Sequence, residues 1–453
     1  MNKKLVRFSE RVKGKKIAVI GIGISNVPLI KFLIKQGAKI WAYDKKEKEQ
    51  LGQIYTELSE LGVCFNLGES YLDEINEDII FKTPGMRYDN PALLKARERG
   101  AWITSEMEVF FDVCPAKIIA VTGSDGKTTT TTLINKFLVA AGYKTRLGGN
   151  IGRPLIGEID EITSDEWIVL ELSSFQLHTM RKSPDIAVIT NITPNHLDWH
   201  TDYNEYIEAK KNIMRYQSEN CKVVLNSNNE ETAKLIGNAN GEVITFSAYR
   251  NADIYIKDGS IYNENEKLLD IAEIKIPGMH NVENYMTAIA AVCDLVPKSV
   301  FCEVANSFGG VEHRIELVRI LDGVKYYNSS IDSSPNRSIN TLRVFGNNVI
   351  MIAGGKDKGI PYDEIGPCVV EHVKSLVLIG KTADKIEAAV KKADRGDKVR
   401  ILHANTYPEA VNLAKNEAAK GDVVILSPAS TSFDMFNNFE ERGNLFKEIV
   451  LSL

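Results

Sequence analysis

The sequence predicts an α/β protein, and three observations support this prediction. Short apolar runs rich in β-branched residues alternate with longer helical patterns along nearly the whole chain. The runs end in Gly, Asp or Ser and lack strict alternation of apolar and polar residues, which is typical of strands covered by helices on both faces. The chain has 453 residues, enough for about two to four domains at ~100–200 residues each.

Nine runs are the clearest strand candidates. They are Ile17–Ile20, Ile40–Tyr43, Ile79–Phe81, Ile118–Val121, Ile168–Leu172, Ala187–Thr190, Val349–Ala353, Ser375–Ile379 and Val423–Leu426. A more β-rich insertion is expected near Val243–Ile261, where Asp258-Gly259 is a hairpin signal. A final helix is expected from Phe433 onward.

Breaks in this pattern divide the chain into three domains. The first break is Cys114-Pro115, and the second is Gly309-Gly310. The predicted domains are 1–112, 113–310 and 311–453.

The charge balance and cysteine spacing exclude several classes of protein. There are 55 Lys and Arg against 60 Asp and Glu, a net charge of −5, without a block of like charge. This argues against binding to nucleic acid or a membrane surface through a basic face. The six cysteines lack a C-x-x-C pair, which disfavours a disulfide framework or a cysteine zinc site. Since neither a signal-peptide core nor an apolar run of about 18 residues occurs, we expect a cytoplasmic protein.

A glycine-rich turn, Gly123-Ser124-Asp125-Gly126-Lys127-Thr128, joins an apolar strand to a Thr-rich helix. The glycines let backbone N–H groups face an anion, the lysine supplies a point charge, and the Thr128 hydroxyl can bind Mg²⁺. The spacing is shorter than the full P-loop pattern, because Val121 stands where its first glycine would be. An ordinary turn with a surface lysine is the alternative, and phosphate binding is favoured.

Two side chains beyond this turn favour a metal site. Glu171 and His196 both follow apolar strands, at the sheet edge where open α/β proteins bind ligands. Each alone has a structural explanation, as a helix cap or a loop hydrogen bond. Behind a nucleotide loop they become candidate Mg²⁺ ligands, with Asp198 orienting the imidazole.

The first and last domains give weaker signals. Gly21-Ile22-Gly23-Ile24-Ser25-Asn26, followed by Asp44, resembles a dinucleotide fingerprint without its third glycine. This favours a nucleotide diphosphate other than NAD, with a purely structural turn as the alternative. In the last domain, Arg314, Lys358 and the hydroxyl-rich run Ser427–Asp434 could form a carboxylate receptor at the start of a helix.

Several motifs occur together in an order that resembles the Mur ligases of peptidoglycan precursor synthesis. They are 122–129, 148–152, 171–176, 191–198, 278–284 and His313-Arg314. The D-glutamate-adding branch is indicated by 354–361, 426–434 and 438–444. The resemblance covers essentially the full chain.

This resemblance implies a Rossmann-like N-terminal UDP-binding domain, a central P-loop-type ATPase domain with a mainly parallel sheet, and a Rossmann-like C-terminal amino-acid-binding domain. It implies ATP, two Mg²⁺ ions and small-molecule substrates. We expect a monomer that binds neither nucleic acid nor membrane.

The resemblance also implies roles for individual residues. Catalytic roles fall to Lys127, Glu171, His196 and Lys210, and ATP contacts fall to Gly123, Ser124, Asp125, Gly126, Lys127, Thr128, Thr129, Asn281, Asn284 and Arg314. Metal ligands are Thr128, Glu171, His196 and Lys210. Contacts with the other substrates are implied for Ser25, Asn26, Asp44, Asn150, Lys358, Ser432 and Phe433. Phe439 and Arg442 are implied to support the amino-acid site.

Two positions, Lys210 and Ser329, differ from the simple expectation. Lys210, which from its helical pattern alone would be a surface residue, matches the lysine that the family carbamylates with CO₂. Ser329 stands where the family usually has Asp; either Asp332 replaces that group, a water bridges the gap, or nucleotide affinity is altered.

The implied reaction is ATP-dependent amide ligation through an acyl phosphate, with a substrate carboxylate as nucleophile and D-glutamate as acceptor. Another amino-acid-adding ligase of this superfamily, including a folylpolyglutamate synthase, would share the ATP loop. A nucleotide-binding protein that has lost catalysis is a further alternative, motivated by Ser329.

Overall fold

The computed structural model describes residues 2–249, 252–357, 359–396 and 398–453. It contains three sheets flanked by helices, which confirms the α/β prediction. The chain divides into two compact units, Met1–Ile271 with Val282–Val304, and Ala272–Asn281 with Ala305–Leu453. The first unit contains two of the sheets and the second unit contains the third.

The first sheet is parallel, in the order β3-β2-β1-β4-β5. Its strands are β1 (Lys16–Ile20), β2 (Lys39–Asp44), β3 (Cys64–Leu67), β4 (Ile79–Phe81) and β5 (Trp102–Thr104). Its helices are α1 (Lys3–Val12), α2 (Asn26–Lys35), α3 (Lys48–Leu51), α4 (Gln53–Glu60), α5 (Pro91–Glu98) and α6 (Glu106–Val113).

Strand β1 shows why the predicted strands are apolar throughout. Ile17 and Val19 belong to one buried cluster, which includes Leu29 of α2. Ala18 and Ile20 belong to another, which includes Leu93 of α5. Helices therefore cover both faces of the strand, as its sequence pattern predicts.

The second sheet has the order β14-β13-β12-β11-β10-β9-β6-β8-β7 and is parallel from β7 to β12. Its strands are β6 (Lys117–Thr122), β7 (Thr145–Gly149), β8 (Trp167–Glu171), β9 (Ile186–Ile189), β10 (Lys222–Asn226), β11 (Glu242–Ser247), β12 (Ile254–Lys257), β13 (Ser260–Asn263) and β14 (Glu266–Asp270). The helices that follow are α7 (Lys127–Ala140), α8 (Ser174–Leu177), α9 (Tyr203–Arg215), α10 (Glu230–Ala233), α11 (Met279–Val292) and α12 (Lys298–Ser307).

The third sheet has the order β15-β16-β20-β17-β18-β19 and is parallel except for β15. Its strands are β15 (Glu316–Leu321), β16 (Val324–Asn328), β17 (Val349–Ala353), β18 (Val373–Leu378), β19 (Arg400–His403) and β20 (Val423–Leu426). Its helices are α13 (Pro335–Leu342), α14 (Ile365–His372), α15 (Ala383–Ala393), α16 (Tyr407–Glu417) and α17 (Phe439–Ser452).

The strand and hairpin predictions are confirmed, whereas the start of the last helix is wrong. Each of the nine predicted strands corresponds to an observed one, and Asp258 and Gly259 join β12 to antiparallel β13 with φ of 47° and 73°. The last helix begins at Phe439 and not at Phe433. Asn438 caps it, because its side chain accepts a hydrogen bond from the N–H of Glu441 at 2.7 Å.

All six cysteines are free thiols. Within the part of the chain that the structure describes, no helix has the length and apolar character needed to cross a membrane.

Candidate nucleotide and metal site

The turn between β6 and α7 depends on two glycines. Gly123 and Gly126 have φ of 154° and 77°, and Gly126 lies immediately before the first residue of α7. A Cβ atom on Gly123 would collide with Oγ1 of Thr190, and one on Gly126 would collide with Oδ1 of Asn284. The backbone can therefore pass close to its neighbours only because both positions lack a side chain.

Side chains that follow β9 hold this turn in place. The Thr190 hydroxyl donates to the carbonyl of Asp125 at 2.6 Å, and the N–H of Asp125 donates to Oδ1 of Asn191 at 2.9 Å. The Ser124 hydroxyl lies 2.8 Å from the hydroxyl of Tyr206. Sequence reasoning assigned no role to Thr190 or Tyr206, because a threonine at a strand end and a tyrosine in a helix carry no motif.

Lys127 lies over the turn that it follows. Its Nζ donates to the carbonyl oxygens of Gly123 at 3.0 Å and Ser124 at 2.9 Å. The ammonium group is thus held at the N-terminal end of α7, where the helix dipole also favours an anion.

Glu171 brings three of the predicted residues together. It ends β8 and is 2% exposed. One carboxylate oxygen accepts from the Thr128 hydroxyl at 2.7 Å, and the other accepts from Nδ2 of Asn150 at 2.9 Å. The hydroxyl and carboxylate provide oxygen ligands of the kind that Mg²⁺ prefers.

His196 lies in an exposed loop after β9, with a left-handed φ of 53°. Its ring meets that of Phe175 edge-on, with 5.0 Å between the centroids. Burial and the positive charge of Lys127 lower the pKa of His196, while Asp198 opposes this shift. The lowered pKa favours the neutral imidazole, the form that can bind a metal.

Lys210 is buried at 1% exposure, so the surface position expected from its helical pattern alone is wrong. Its Nζ donates to the carbonyl of Gly123 at 2.7 Å and lies 3.4 Å from Oγ1 of Thr122. Burial, followed by the charge of Lys127, lowers the pKa of Lys210 well below its usual range. This predicted catalytic residue therefore lies directly against the phosphate loop.

The remaining predicted ATP contacts lie on both compact units. Asn284 belongs to the first unit, where its Oδ1 lies 3.4 Å from the Thr130 hydroxyl. Asn281 and half-buried Arg314 belong to the second unit, and Nδ2 of Asn281 donates to the carbonyl of Pro277 at 2.6 Å. Roles for Asn281 and Arg314 in binding ATP stay predictions.

The first sheet carries the predicted diphosphate turn. Asp44 accepts a hydrogen bond from the N–H of Ile22 at 2.6 Å. Asn26 is 3% exposed, and its Nδ2 donates to the carbonyls of Ile20 and Gly21 at 3.0 and 2.8 Å. The amide thus braces the turn at the position where the fingerprint has its third glycine. Ser25 immediately precedes α2.

Arg442, on helix α17, is the residue predicted to support the amino-acid site. This guanidinium is fully buried and donates to Ser430 O at 3.0 Å, to Ser330 O at 2.8 Å and to Ser330 Oγ at 3.0 Å. Ser432 is buried, whereas Phe433 is 60% exposed. Lys358 lies outside the described residues.

The run after β20 does not open a helix, contrary to the prediction. Residues 427–438 form turns, and Thr431 pairs with Lys356 in an isolated bridge. Ala429 has a φ of 55°, which is incompatible with a continuing right-handed helix. This run therefore lacks a helix N-terminus that could bind a carboxylate.

Asp332 does not replace the carboxylate that is missing at Ser329. Ser329 is fully buried, and Asp332 is 4% exposed. Asp332 accepts a hydrogen bond from the Ser427 hydroxyl at 2.8 Å, and burial raises its pKa. Asp332 is thus a buried group of the second unit and does not provide an exposed carboxylate in place of the missing one.

A glycine-rich turn next to a carboxylate, an imidazole and a buried lysine is typical of a nucleotide-dependent enzyme. Three family models match the chain in order. "Mur ligase MurD-like, N-terminal domain" matches residues 15–105, "Mur ligase middle domain" matches 121–292, and "Mur ligase, glutamate ligase domain" matches 313–430. The chain belongs to the Mur ligase family.

Curated relatives match the chain over its full length. A UDP-N-acetylmuramoylalanine–D-glutamate ligase from Ruminiclostridium cellulolyticum is 53% identical over 464 residues, covering 100% of both chains. The ligase of the same name from Clostridium perfringens is 50% identical over 455 residues, covering 99% of each.

Solved structures share the fold at low identity. The UDP-N-acetylmuramate–alanine ligase MurC from Thermotoga maritima aligns with a TM-score of 0.57 and 20% identity, covering 97% of this chain and 99% of that one. MurF ligase from Thermotoga maritima, in complex with ADP, aligns with a TM-score of 0.55 and 17% identity, covering 98% and 97%. The three-domain prediction is confirmed, and the family uses ATP and Mg²⁺ in general. The boundaries 1–112, 113–310 and 311–453 stay predictions.

Replacing Gly123 by Ala should destabilise the protein. The left-handed backbone costs about 1–3 kcal/mol for a non-glycine residue, and collision with Thr190 adds overpacking of about 1–3 kcal/mol. Gly142→Ala is the matched control, because Gly142 has a φ of 90° with open space around its Cβ position. Thermal unfolding of both variants tests this. Equal losses of stability in Gly123→Ala and Gly142→Ala would contradict this prediction, because the collision with Thr190 would then add no destabilisation.

Replacing Asp332 by Asn should change how stability depends on pH. Because the folded-state pKa of Asp332 is raised, the wild-type protein loses stability as pH rises from about 4 through that pKa. The variant lacks this titration, so its unfolding free energy should improve relative to wild type as pH rises. Asp363→Asn is the control with the opposite sign, because Lys392 lowers the pKa of exposed Asp363. A pH-independent difference between Asp332→Asn and wild type would contradict this.

Proposed function

We propose that this chain joins D-glutamate to UDP-N-acetylmuramoyl-L-alanine at the expense of ATP, through an acyl phosphate. The observation that supports this most directly is the cluster of Lys127, Thr128, Glu171 and Lys210 at one phosphate loop. The cluster occurs in a chain that is 53% identical, over its full length, to a UDP-N-acetylmuramoylalanine–D-glutamate ligase.

The first chemical step transfers a phosphoryl group. An oxygen of the L-alanyl carboxylate forms a bond to the γ-phosphorus of ATP, and the bond from that phosphorus to the β–γ bridging oxygen breaks, releasing ADP. Loop N–H groups and Lys127 bind the phosphates and neutralise charge that gathers on the transferred oxygens. Positioning and charge stabilisation are the main contributions that a protein makes to such a step.

The second step forms the amide bond. The D-glutamate amine attacks the acyl carbon, the carbon–oxygen bond to phosphate breaks, and the amine loses a proton. Lys358, Ser432 and Phe433 are the residues we assign to holding D-glutamate. We assign Arg442 a supporting role, because its hydrogen bonds join the Ser330 and Ser430 backbones.

The residues present fit magnesium. Thr128 and Glu171 offer a hydroxyl and a carboxylate 2.7 Å apart, and His196 offers an imidazole whose pKa is lowered. Bound Mg²⁺ supplies positive charge to the phosphates of ATP. We assign these three residues and modified Lys210 to two metal positions.

The surroundings of Lys210 support its carbamylation. Burial and a lowered pKa favour the neutral, nucleophilic form of the amine, which can form a bond to the carbon of CO₂ and release a proton. The product is an anion that would lie beside the ammonium group of Lys127, where opposite charges attract, and it adds an oxygen ligand.

We assign the enzyme to the cytoplasm, where ATP is available, and expect a monomer. Size-exclusion chromatography with light scattering measures the oligomeric state directly.

Phosphate release from ATP and UDP-N-acetylmuramoyl-L-alanine should require D-glutamate, and L-glutamate should not replace it. Lys127→Ala should reduce turnover by about 100-fold or more, because one charged contact to the transferred group is lost. Lys144→Ala is the control, since Lys144 is exposed and paired with Asp165.

Stimulation by a different amino acid would indicate another ligase of the superfamily. Binding of ATP without any release of phosphate would indicate that catalysis has been lost.

Lys210→Ala should also lower turnover strongly, and short carboxylic acids should restore part of it by replacing the carbamate oxygen. Incubation of the wild-type protein with ¹³C-bicarbonate should give a carbamate carbon signal that this variant lacks. Wild-type protein that is active without such a signal would refute the modification.

A further inference from the structure

All five N–H donors of Arg87 form hydrogen bonds, and three of these bonds connect the loop after β4 of the first sheet to residues that follow β9 of the second sheet. Arg87 lies between β4 and α5, and its Nε donates to Asp89 at 3.0 Å. Nη1 donates to the carbonyl of Trp199 at 2.8 Å and to Glu205 at 3.0 Å. Nη2 donates to Asp89 at 2.8 Å and to the other oxygen of Glu205 at 3.0 Å. The side chain is only 23% exposed.

Glu205 is the centre of a second cluster of metal-ligand types. Ligand atoms of His178, His200 and Glu205 lie within 4.8 Å of one another. However, the guanidinium of Arg87 binds both oxygens of Glu205, so a cation already neutralises this carboxylate. Hydrogen bonds with Arg87 hold the pKa of Glu205 well below its usual range. The geometry therefore serves an ion pair and not a metal ion.

The residues that Arg87 binds support predicted metal ligands. Glu205 lies in the first turn of α9, and Lys210 follows on the same helix. Trp199 follows His196 in the loop after β9. The ring of Phe175 contacts Trp199 at 4.6 Å and His196 at 5.0 Å between centroids. An exposed loop with a left-handed residue needs such support to keep one conformation.

The Arg87 loop also reaches the predicted diphosphate turn. The Trp199 indole N–H donates to the carbonyl of Gly85 at 2.9 Å. Two residues earlier, Thr83 lies against Gly21, since a Cβ on Gly21 would come within 3.3 Å of the Thr83 Cβ. One short segment, 83–87, therefore contacts the turn after β1 at one end and the His196 loop at the other.

We infer that Arg87 is a positioning residue that couples binding of the nucleotide sugar at the Gly21 turn to the placement of His196. This rests on the proposed function. Substrate at the turn orders segment 83–87, and the Arg87 fork transmits that order to the Trp199 carbonyl and to Glu205. A lysine carries the same charge but cannot form this planar fork.

Hydrogen exchange tests the coupling without ATP or magnesium. UDP-N-acetylmuramoyl-L-alanine added to the wild-type protein should slow exchange at 196–200 as well as around Gly21. In Arg87→Ala, protection should persist around Gly21 and disappear at 196–200. Arg7→Ala, at an exposed position on α1, is the control and should behave as wild type. Equal protection of 196–200 in Arg87→Ala and wild type would overturn the inference.

Kinetics provide a second readout. Arg87→Ala should raise the Mg²⁺ concentration for half-maximal activity by about 2- to 30-fold, the range typical of coupling between sites, with the KM for D-glutamate within about twofold of wild type. Arg87→Lys should restore only part of this change. If Arg87→Ala does not fold, Arg87→Lys takes its place in both measurements, because it keeps the charge and loses the planar fork, and wild-type exchange at 196–200 with wild-type Mg²⁺ dependence in that variant would then overturn the inference.

Different results would refute the proposed function and the coupling through Arg87. Absence of D-glutamate-dependent turnover in the wild-type protein would refute the proposed function, while exchange at 196–200 would still report the coupling. Normal turnover with unchanged exchange and unchanged Mg²⁺ dependence in Arg87→Ala would refute the coupling alone.

Discussion

The carbonyl oxygen of Gly123 accepts hydrogen bonds from two lysines, from Nζ of Lys127 at 3.0 Å and from Nζ of Lys210 at 2.7 Å. Two ammonium groups at one oxygen repel each other, and Lys210 is the more buried of the two. Its pKa therefore falls, because burial and a like charge act in the same direction. The same glycine backbone thus holds a cation suited to phosphates and an amine whose lowered pKa favours reaction with CO₂. The proposed chemistry depends on this unequal pair, which requires the close backbone approach that only glycine allows here.

Strand order explains why the other groups reach this point. In the second sheet β6 lies between β8 and β9, so the phosphate loop, Glu171 and the His196 loop all leave the same edge at adjacent strands. Parallel strands place the residues that follow them at one edge, which makes that edge the natural ligand site of such sheets. Helix α9 contacts the loop through two side chains, because Tyr206 lies next to the Ser124 hydroxyl and Lys210 donates to the Gly123 carbonyl. Residues distant in sequence therefore meet through topology.

The strands, the phosphate loop and Glu171 could be predicted from sequence because each depends on local chemistry: apolar runs, glycine turns and a strand end. The burial of Lys210 could not be predicted from local pattern, because a lysine in a polar helix looks exposed until the helix is packed against a loop. The early start assigned to α17 failed for a related reason. Hydroxyl residues from Ser427 to Ser432 are compatible with a helix start, but tertiary hydrogen bonds to Arg442 and Lys356 fix them in turns. Arg87 and Glu205 carry no motif at all, since their role arises only where two sheets meet.

A net charge of −5 opposes the approach of anionic substrates. Local cations must therefore attract these substrates. Lys127 and Arg442 both donate to backbone carbonyls, at Gly123 and Ser124 and at Ser330 and Ser430. A carbonyl dipole orients a cation without cancelling its unit charge. Backbone dipoles therefore help to orient these two cations where phosphates and carboxylates are expected to bind, and the ion pair between Arg87 and Glu205 fixes a position in the first unit.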